Sequence, residues 1–189
     1  MIIKFFEINK VKLNQNKLLL FYGKNEGHKN ETIKDLIKEK KNVFYYDEKE
    51  ILENSNSFIE NALSKSLFEN EKIIIIKRAS DKILKVIEEI TLKNIEDLVI
   101  IINADILDKK SKLRTFFEKS KVFISIAFYP DNNQTLSKLA YNFLREKKIL
   151  ISPSDINLIV DKCNNDRENL KNELEKIGNY HRGKNKITS

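Results

Sequence analysis

The sequence predicts an α/β protein: a parallel sheet in three layers, followed by a small domain of three helices. Three observations carry this reading. Strand-like and helix-like stretches alternate five times, with helices of about ten residues, the pattern of βαβ units. One strand holds an unbroken run of four isoleucines, Ile73 to Ile76; apolar residues on both faces suit a strand covered on both sides. Beyond Pro130 every apolar pattern has helical spacing.

Residues 2 to 8 and 11 to 13 are short and mixed, and read as an N-terminal strand or hairpin. Leu18-Leu-Leu-Phe-Tyr-Gly23 is a buried strand entering a glycine turn. After Gly23-Lys-Asn-Glu-Gly27, Ile33, Leu36 and Ile37 carry a helix through about Lys40. Asn42 to Asp47, rich in aromatic and β-branched residues, is the second strand. Ser55 or Ser57 caps a helix bearing Phe58, Ile59, Ala62 and Leu63. Lys72 to Lys77 is the third strand, and Ile83, Leu84, Val86, Ile87 and Ile90 mark the helix after it. Leu98 to Ile102 is the fourth strand, Leu113, Phe116 and Phe117 lie on the next helix, and Val122 to Tyr129 is the fifth strand.

At Pro130-Asp-Asn-Asn the pattern changes. Leu136, Leu139, Ala140, Phe143 and Leu144 follow the spacing of an amphipathic helix. Ser152-Pro153 supplies an N-cap and a proline at the first helical position, opening a helix with Ile156, Ile159, Val160 and Cys163. Leu170, Leu174 and Ile177 mark a third helix. The expected division is 1–130 for the α/β domain, 131–180 for the helical domain and 181–189 for a polar tail.

The 189 residues suffice for one large domain or two modest ones. With 41% hydrophobic and 33% charged residues the chain is of the globular class. The single cysteine, Cys163, excludes an internal disulfide and favours a reducing compartment. No apolar run approaches the roughly 18 residues of a membrane span, and the start is too short and charged for a signal-peptide core. A cytoplasmic protein is expected. The net charge of +7 and pI near 9.2 invite a nucleic-acid reading. Lys, Asn and Ile abound together and share AT-rich codons, so charge alone supports an acidic partner only weakly.

A strand, a glycine turn and a helix call for a test of the phosphate-loop pattern, in which Gly-Lys-Ser/Thr follows the first glycine by five residues. Counting from Gly23 places His28, Lys29 and Asn30 there. The hydroxyl that would hold magnesium is missing and the second glycine is displaced to Gly27. The strand Leu98–Ile102 runs into Asn103-Ala104 rather than an acidic pair. Lys29 reads as a solvated helix lysine. The architecture resembles a nucleotide-hydrolysing one without its hydrolytic parts. His28 and His181 stand in polar contexts, and Cys163 falls on an apolar helix face as a structural thiol. No catalytic triad or metal-ligand spacing is visible, so neither a catalytic residue nor a cofactor is expected.

Leu67-Phe68, a bulky pair among polar residues, precedes the isoleucine run. Advancing 100° per residue from Phe58, residues Phe58, Ile59, Ala62, Leu63 and Ser66 fall within roughly 140°. Leu67 lies at the edge of that arc, near about 180°, and Phe68 near about 280°. If the helix reaches Phe68, its ring points off the core; if it stops earlier, the pair lies on the turn before the third strand. A turn that folds back and buries both is an equal alternative. Exposed, the pair would anchor in an apolar pocket of a partner.

Phe21-Tyr-Gly-Lys-Asn-Glu-Gly27, Ser66-Leu-Phe68 leading into Ile73 to Ala79, Asp108-Lys-Lys-Ser-Lys-Leu-Arg114, Ala127-Phe-Tyr-Pro-Asp131 and Asp166 to Lys176 together resemble the delta subunit of the bacterial DNA polymerase III clamp loader. The resemblance implies an AAA+-like (P-loop NTPase-type) α/β domain with a degenerate phosphate loop (Gly23, Gly27, Lys29), then a three-helix lid. It implies a subunit of the DNA-directed DNA polymerase holoenzyme that has no activity of its own and does not hydrolyse ATP. Its role would be to bind and open the sliding clamp (beta) for loading onto primed DNA, with Leu67 and Phe68, after Ser66, entering a pocket on the clamp. Further implied partners are the gamma/tau and delta prime subunits and DNA within the loader. The family's C-terminal collar domain is not expected within these residues, and the gamma/tau and delta prime subunits are implied only where the full-length protein carries it. The alternatives are an active P-loop ATPase using Gly23, Gly27 and Lys29, and a general basic nucleic-acid-binding module.

Overall fold

The computed structural model describes residues 1–64, 71–93 and 97–181, the side chains of Phe5 and Phe6 excepted. It divides into two compact units, Met1–Tyr129 and Pro130–Ser189.

The first unit is built on a six-stranded sheet in which every pairing is parallel. Its strands are β1 (Ile2–Lys4), β2 (Leu18–Tyr22), β3 (Val43–Asp47), β4 (Lys72–Ala79), β5 (Leu98–Ala104) and β6 (Ile124–Ala127), in spatial order β1-β6-β2-β5-β4-β3. The helices α1 (Glu26–Ile37), α2 (Glu48–Glu53), α3 (Ser55–Leu63), α4 (Leu84–Thr91) and α5 (Lys112–Lys119) lie between strands, as parallel neighbours require.

The isoleucine run behaves as its composition demands. Ile73 to Ile76 pair with Val43–Tyr46 on one side and Val99–Ile102 on the other, and none is more than 1% exposed. Alternation then sorts the side chains between two cores. Ile74, Ile76, Ile100, Ile102, Leu18 and Leu20 pack with Phe58, Ile87 and Phe117 from α3, α4 and α5. Ile73, Ile75, Val99, Ile101, Leu19 and Phe21 pack with Ile33 and Ile37 of α1.

Several local expectations are corrected. The N-terminus forms no hairpin: β1 pairs in parallel with β6 and is followed by a 3-10 helix, Phe5–Lys10, giving a sixth strand. The cap of α3 is Asn54, whose Oδ1 accepts from the Ser57 N–H at 3.3 Å, rather than Ser55 or Ser57. The short helix α2, unanticipated, starts from Asp47, which forms a capping box with Glu50. Helix α1 ends at Ile37 and β6 is four residues long.

Asp81 ties the turn after β4 to the start of α5. Its carboxylate accepts from Ser111 Oγ at 2.5 Å and from the Lys112 and Leu113 N–H groups at 3.0 Å. Burial opposes its charge, but the hydrogen bonds from Ser111, Leu113 and Lys112 outweigh it and hold the carboxyl below its ordinary value. A lowered native pKa contributes stability above the unfolded value of about 3.9, and that contribution is lost as pH falls through the native value. Asp81→Asn, with no proton to take up, is therefore expected to melt lower than wild type at pH 7 and to lose less on acidification. Thermal melts across that window check it; equal acid sensitivity of both proteins would exclude the role.

The second unit comprises α6 (Asn133–Glu146), α7 (Pro153–Lys162) and α8 (Arg167–His181). Leu136, Ala140, Leu144, Ile156, Val160, Cys163, Leu170 and Leu174 form its core. Ser152 caps α7 by accepting from the Asp155 N–H at 3.1 Å, with Pro153 at the first position. Asn164 and Asn165, both left-handed, separate α7 from α8. Arg167 at the start of α8 reaches both oxygens of Asp131, at 2.9 and 3.0 Å.

Candidate functional site

In an open parallel sheet the ligand crevice lies beyond the carboxyl ends of the strands, where the strand order reverses. That position is the end of β2, between β5 and β6, and the Gly23–Gly27 turn occupies it. Gly23 has φ +121°, and a Cβ there would stand 2.3 Å from the Phe128 carbonyl oxygen. Glycine is required on both counts.

A phosphate loop works by presenting free backbone N–H groups to an anion. In this turn and the start of α1 four of them are engaged within the protein. Gly23 donates to the Asp105 carbonyl at 3.0 Å, Asn25 to Phe128 at 3.3 Å and Glu26 to Lys24 at 3.0 Å. The His28 N–H goes to Asn25 Oδ1 at 3.0 Å, while Asn25 Nδ2 donates to the Tyr129 carbonyl at 2.9 Å. The chain leaving β6 is thereby bonded to the turn. The His28 ring meets Phe128 edge-on, its centroid 5.2 Å away.

The expectation of a solvated Lys29 is overturned. The side chain is fully buried, its Nζ donating to the Ala104 carbonyl at 2.5 Å and pairing with Glu26 Oε2 at 2.7 Å. The first turn of α1 lies against the end of β5; a lysine stem tolerates that burial once its ammonium finds oxygen partners. Gly27 falls inside the first turn of α1 instead of in a loop. Asn103, buried at the end of β5, donates from Nδ2 to Glu26 Oε1 at 2.8 Å and to Asn30 Oδ1 at 3.4 Å. Its Oδ1 is buried without a hydrogen-bond partner. Sequence reading named Gly23, Gly27 and Lys29 but missed Glu26, which joins Lys29 to Asn103. The available signal was the acid–base spacing of 26 and 29, three apart at a helix start.

Ser66, Leu67 and Phe68 lie outside the described residues, but both flanks of their segment are described. Helix α3 ends at Leu63 and Ser64 has extended backbone, so a wheel drawn from Phe58 has no meaning for α3 beyond Leu63. From the start of β4, Lys72 Nζ donates to the Asn61 carbonyl at 2.7 Å, the Ser64 carbonyl at 2.9 Å and Ser64 Oγ at 3.1 Å. A cation there satisfies the orphan carbonyls at the helix end and complements its dipole. Glu71 pairs with Lys17 at 3.3 Å and Lys40 at 2.6 Å, and its carbonyl accepts from Asn42 Nδ2 at 3.4 Å. Burial works against the Glu71 charge, but the Lys40 and Lys17 hydrogen bonds prevail and lower its pKa. The segment thus departs from and returns to well-anchored stems.

Elsewhere, Cys163 is buried in the helical core, and burial, then Glu173 and Asp166, push its thiol up, away from the thiolate. Among the described residues no cluster of three His, Cys, Asp or Glu could hold a metal, and no helix is long and apolar enough to cross a membrane.

The family model described as DNA polymerase III, delta subunit, matches residues 19–127. Compared by sequence, no curated protein matches the chain. Among solved structures, the Bacillus subtilis DNA clamp loader delta protein (YqeN) is similar with a TM-score of 0.61 at 16% identity, over 97% of this chain and 58% of that one. A Walker-type ATPase of Pyrococcus abyssi gives a TM-score of 0.55 at 13% identity, over 92% of this chain and 66% of that one. At such identities the likeness is one of fold, and the fold is the P-loop-type α/β architecture expected from the sequence. The chain spans 58% of the length of the clamp loader protein.

Proposed function

Because the chain belongs to the DNA polymerase III delta-subunit family, we propose that it binds and opens the sliding clamp for loading onto primed DNA, without hydrolysing ATP itself. The observation that carries this reading is the family match over residues 19–127, a span that includes both the Gly23 turn and Ser66-Leu67-Phe68. The engaged N–H groups of the turn and the buried, paired Lys29 support the absence of hydrolysis. In this reading residues 1–130 are the AAA+-like domain and 131–180 the lid. The protein works in the cytoplasm with the clamp and with DNA inside the loader, and with gamma/tau and delta prime subunits where the full-length protein carries the family's collar domain.

Leu67 and Phe68, after Ser66, supply the apolar contact with the clamp. A ligand shifts a conformational equilibrium only by its differential affinity for the two states. Opening therefore needs this contact, or its neighbours, to be stronger on the open ring than on the closed one. The buried strand β4 and the Lys72-capped end of α3 are a stiff mount through which such a difference can act.

The test is association of this chain with the sliding clamp of its own source. Leu67→Ala with Phe68→Ala is expected to weaken binding at least tenfold, about 1.4 kcal/mol, while the melting temperature stays near that of wild type. Unchanged affinity in the folded double variant would remove the pair from the mechanism.

A further inference from the structure

We infer that the Glu26 carboxylate is a resident anion, standing where a phosphate loop would hold a phosphoryl group and closing the turn to phosphate ligands. The inference goes beyond clamp binding and does not depend on it. The two Glu26 oxygens are divided between two buried donors: Oε2 with the Lys29 ammonium at 2.7 Å and Oε1 with the Asn103 amide at 2.8 Å. Lys29 stands at the position of the phosphate-loop lysine, and Asn103 ends β5, the strand alongside β2. An ammonium and an amide N–H are the donor types that hold phosphoryl oxygens, and here a carboxylate has taken them. Its place in the first turn of α1 also sets negative charge against the positive end of the helix.

Burial shows which partner can leave. Lys29 is 0% exposed and Glu26 is 57% exposed, so the carboxylate can be removed without opening the core. What stays behind is a buried ammonium stripped of its counter-ion, a costly arrangement that demands another anion. A second, independent feature points the same way. Asn103 is 4% exposed and its Oδ1 has no hydrogen-bond partner, an unused acceptor suited to the P–OH of hydrogen phosphate. The ligand class of the vacated site is therefore a small phosphate oxyanion.

The experiment uses the full chain, with inorganic phosphate as the probe and chloride at matched ionic strength and pH as the reference. Wild type is expected to melt at the same temperature in both. Glu26→Ala is expected to melt lower in chloride and to be raised by phosphate in a concentration-dependent way, as binding to the native state alone requires. Its apparent phosphate affinity should exceed that of wild type by about tenfold or more. Adding Lys29→Met to Glu26→Ala should abolish the response. Glu26→Gln keeps the side-chain shape without the charge and should also gain a phosphate response, which keeps the test open if the alanine variant does not fold. A phosphate effect no larger than that of chloride in both Glu26 variants would overturn the inference. So would a wild type that responds as strongly as they do.

Discussion

Gly23→Ala costs the α/β unit about 3 kcal/mol or more, a large part of the stability of an ordinary domain. Two penalties combine. The backbone sits at φ +121°, where a side chain adds strain of order 1–3 kcal/mol. The new Cβ would stand 2.3 Å from the Phe128 carbonyl oxygen and 3.0 Å from its carbon, so the turn or the end of β6 has to move. Either motion disturbs the Asn25 to Phe128 and Phe128 to Tyr22 hydrogen bonds, each worth about 1 kcal/mol. Gly178 is the matched control. A Cβ there meets only the Phe143 ring at 3.6 Å, an ordinary contact, and Gly178 lies within α8, where alanine is favoured by roughly 0.5–1 kcal/mol. Denaturant unfolding of both variants is expected to show opposite signs. A Gly23→Ala protein as stable as wild type would refute the close approach of β6 to the turn.

Phe117→Ala is expected to cost about 3–5 kcal/mol. The ring is fully buried beneath the sheet, facing Phe116 at 5.7 Å and 75° and Phe123 at 5.7 Å and 51°. Its loss removes the fully buried member of a three-ring cluster with Phe116 and Phe123, and neighbours on a sheet and a helix collapse only partly into the gap. Phe116→Ala, at a partly buried ring of the same cluster, should cost clearly less. Urea titrations read both effects as shifts of midpoint with little change in slope. Equal losses in the two variants would mean that the ring positions are not distinguished by burial.

Much of the sheet was legible because strands buried on both faces have nothing polar to show. Leu18–Tyr22, Ile73–Ile76 and Leu98–Ile102 announce themselves as apolar runs, and all are buried. The start of α7 was legible for a different reason: Ser152-Pro153 is a local signal that needs no tertiary partner. The edge strand β1 was ambiguous because it has three residues and only Ile3 is buried. Helix α2 escaped because six residues with Ile51 as the one buried apolar side chain make no periodic pattern. Its Asp47–Glu50 capping box was nonetheless present in the sequence.

The sequence by itself determined the parallel α/β class, the helical second unit and the lack of a Gly-Lys-Ser/Thr set after Gly23. It also singled out Leu67-Phe68 as a pair too apolar for its surroundings. The tertiary structure alone decided which groups meet at the start of α1. Lys29 faces inward because the Ala104 carbonyl, 75 positions further along the chain, lies within its reach. Glu26 and Asn103, 77 positions apart, meet there as well. Local spacing can show that a helix has a lysine in its first turn. Whether water or a strand end waits on that side depends on which strands become neighbours, and that order is settled only when the sheet assembles.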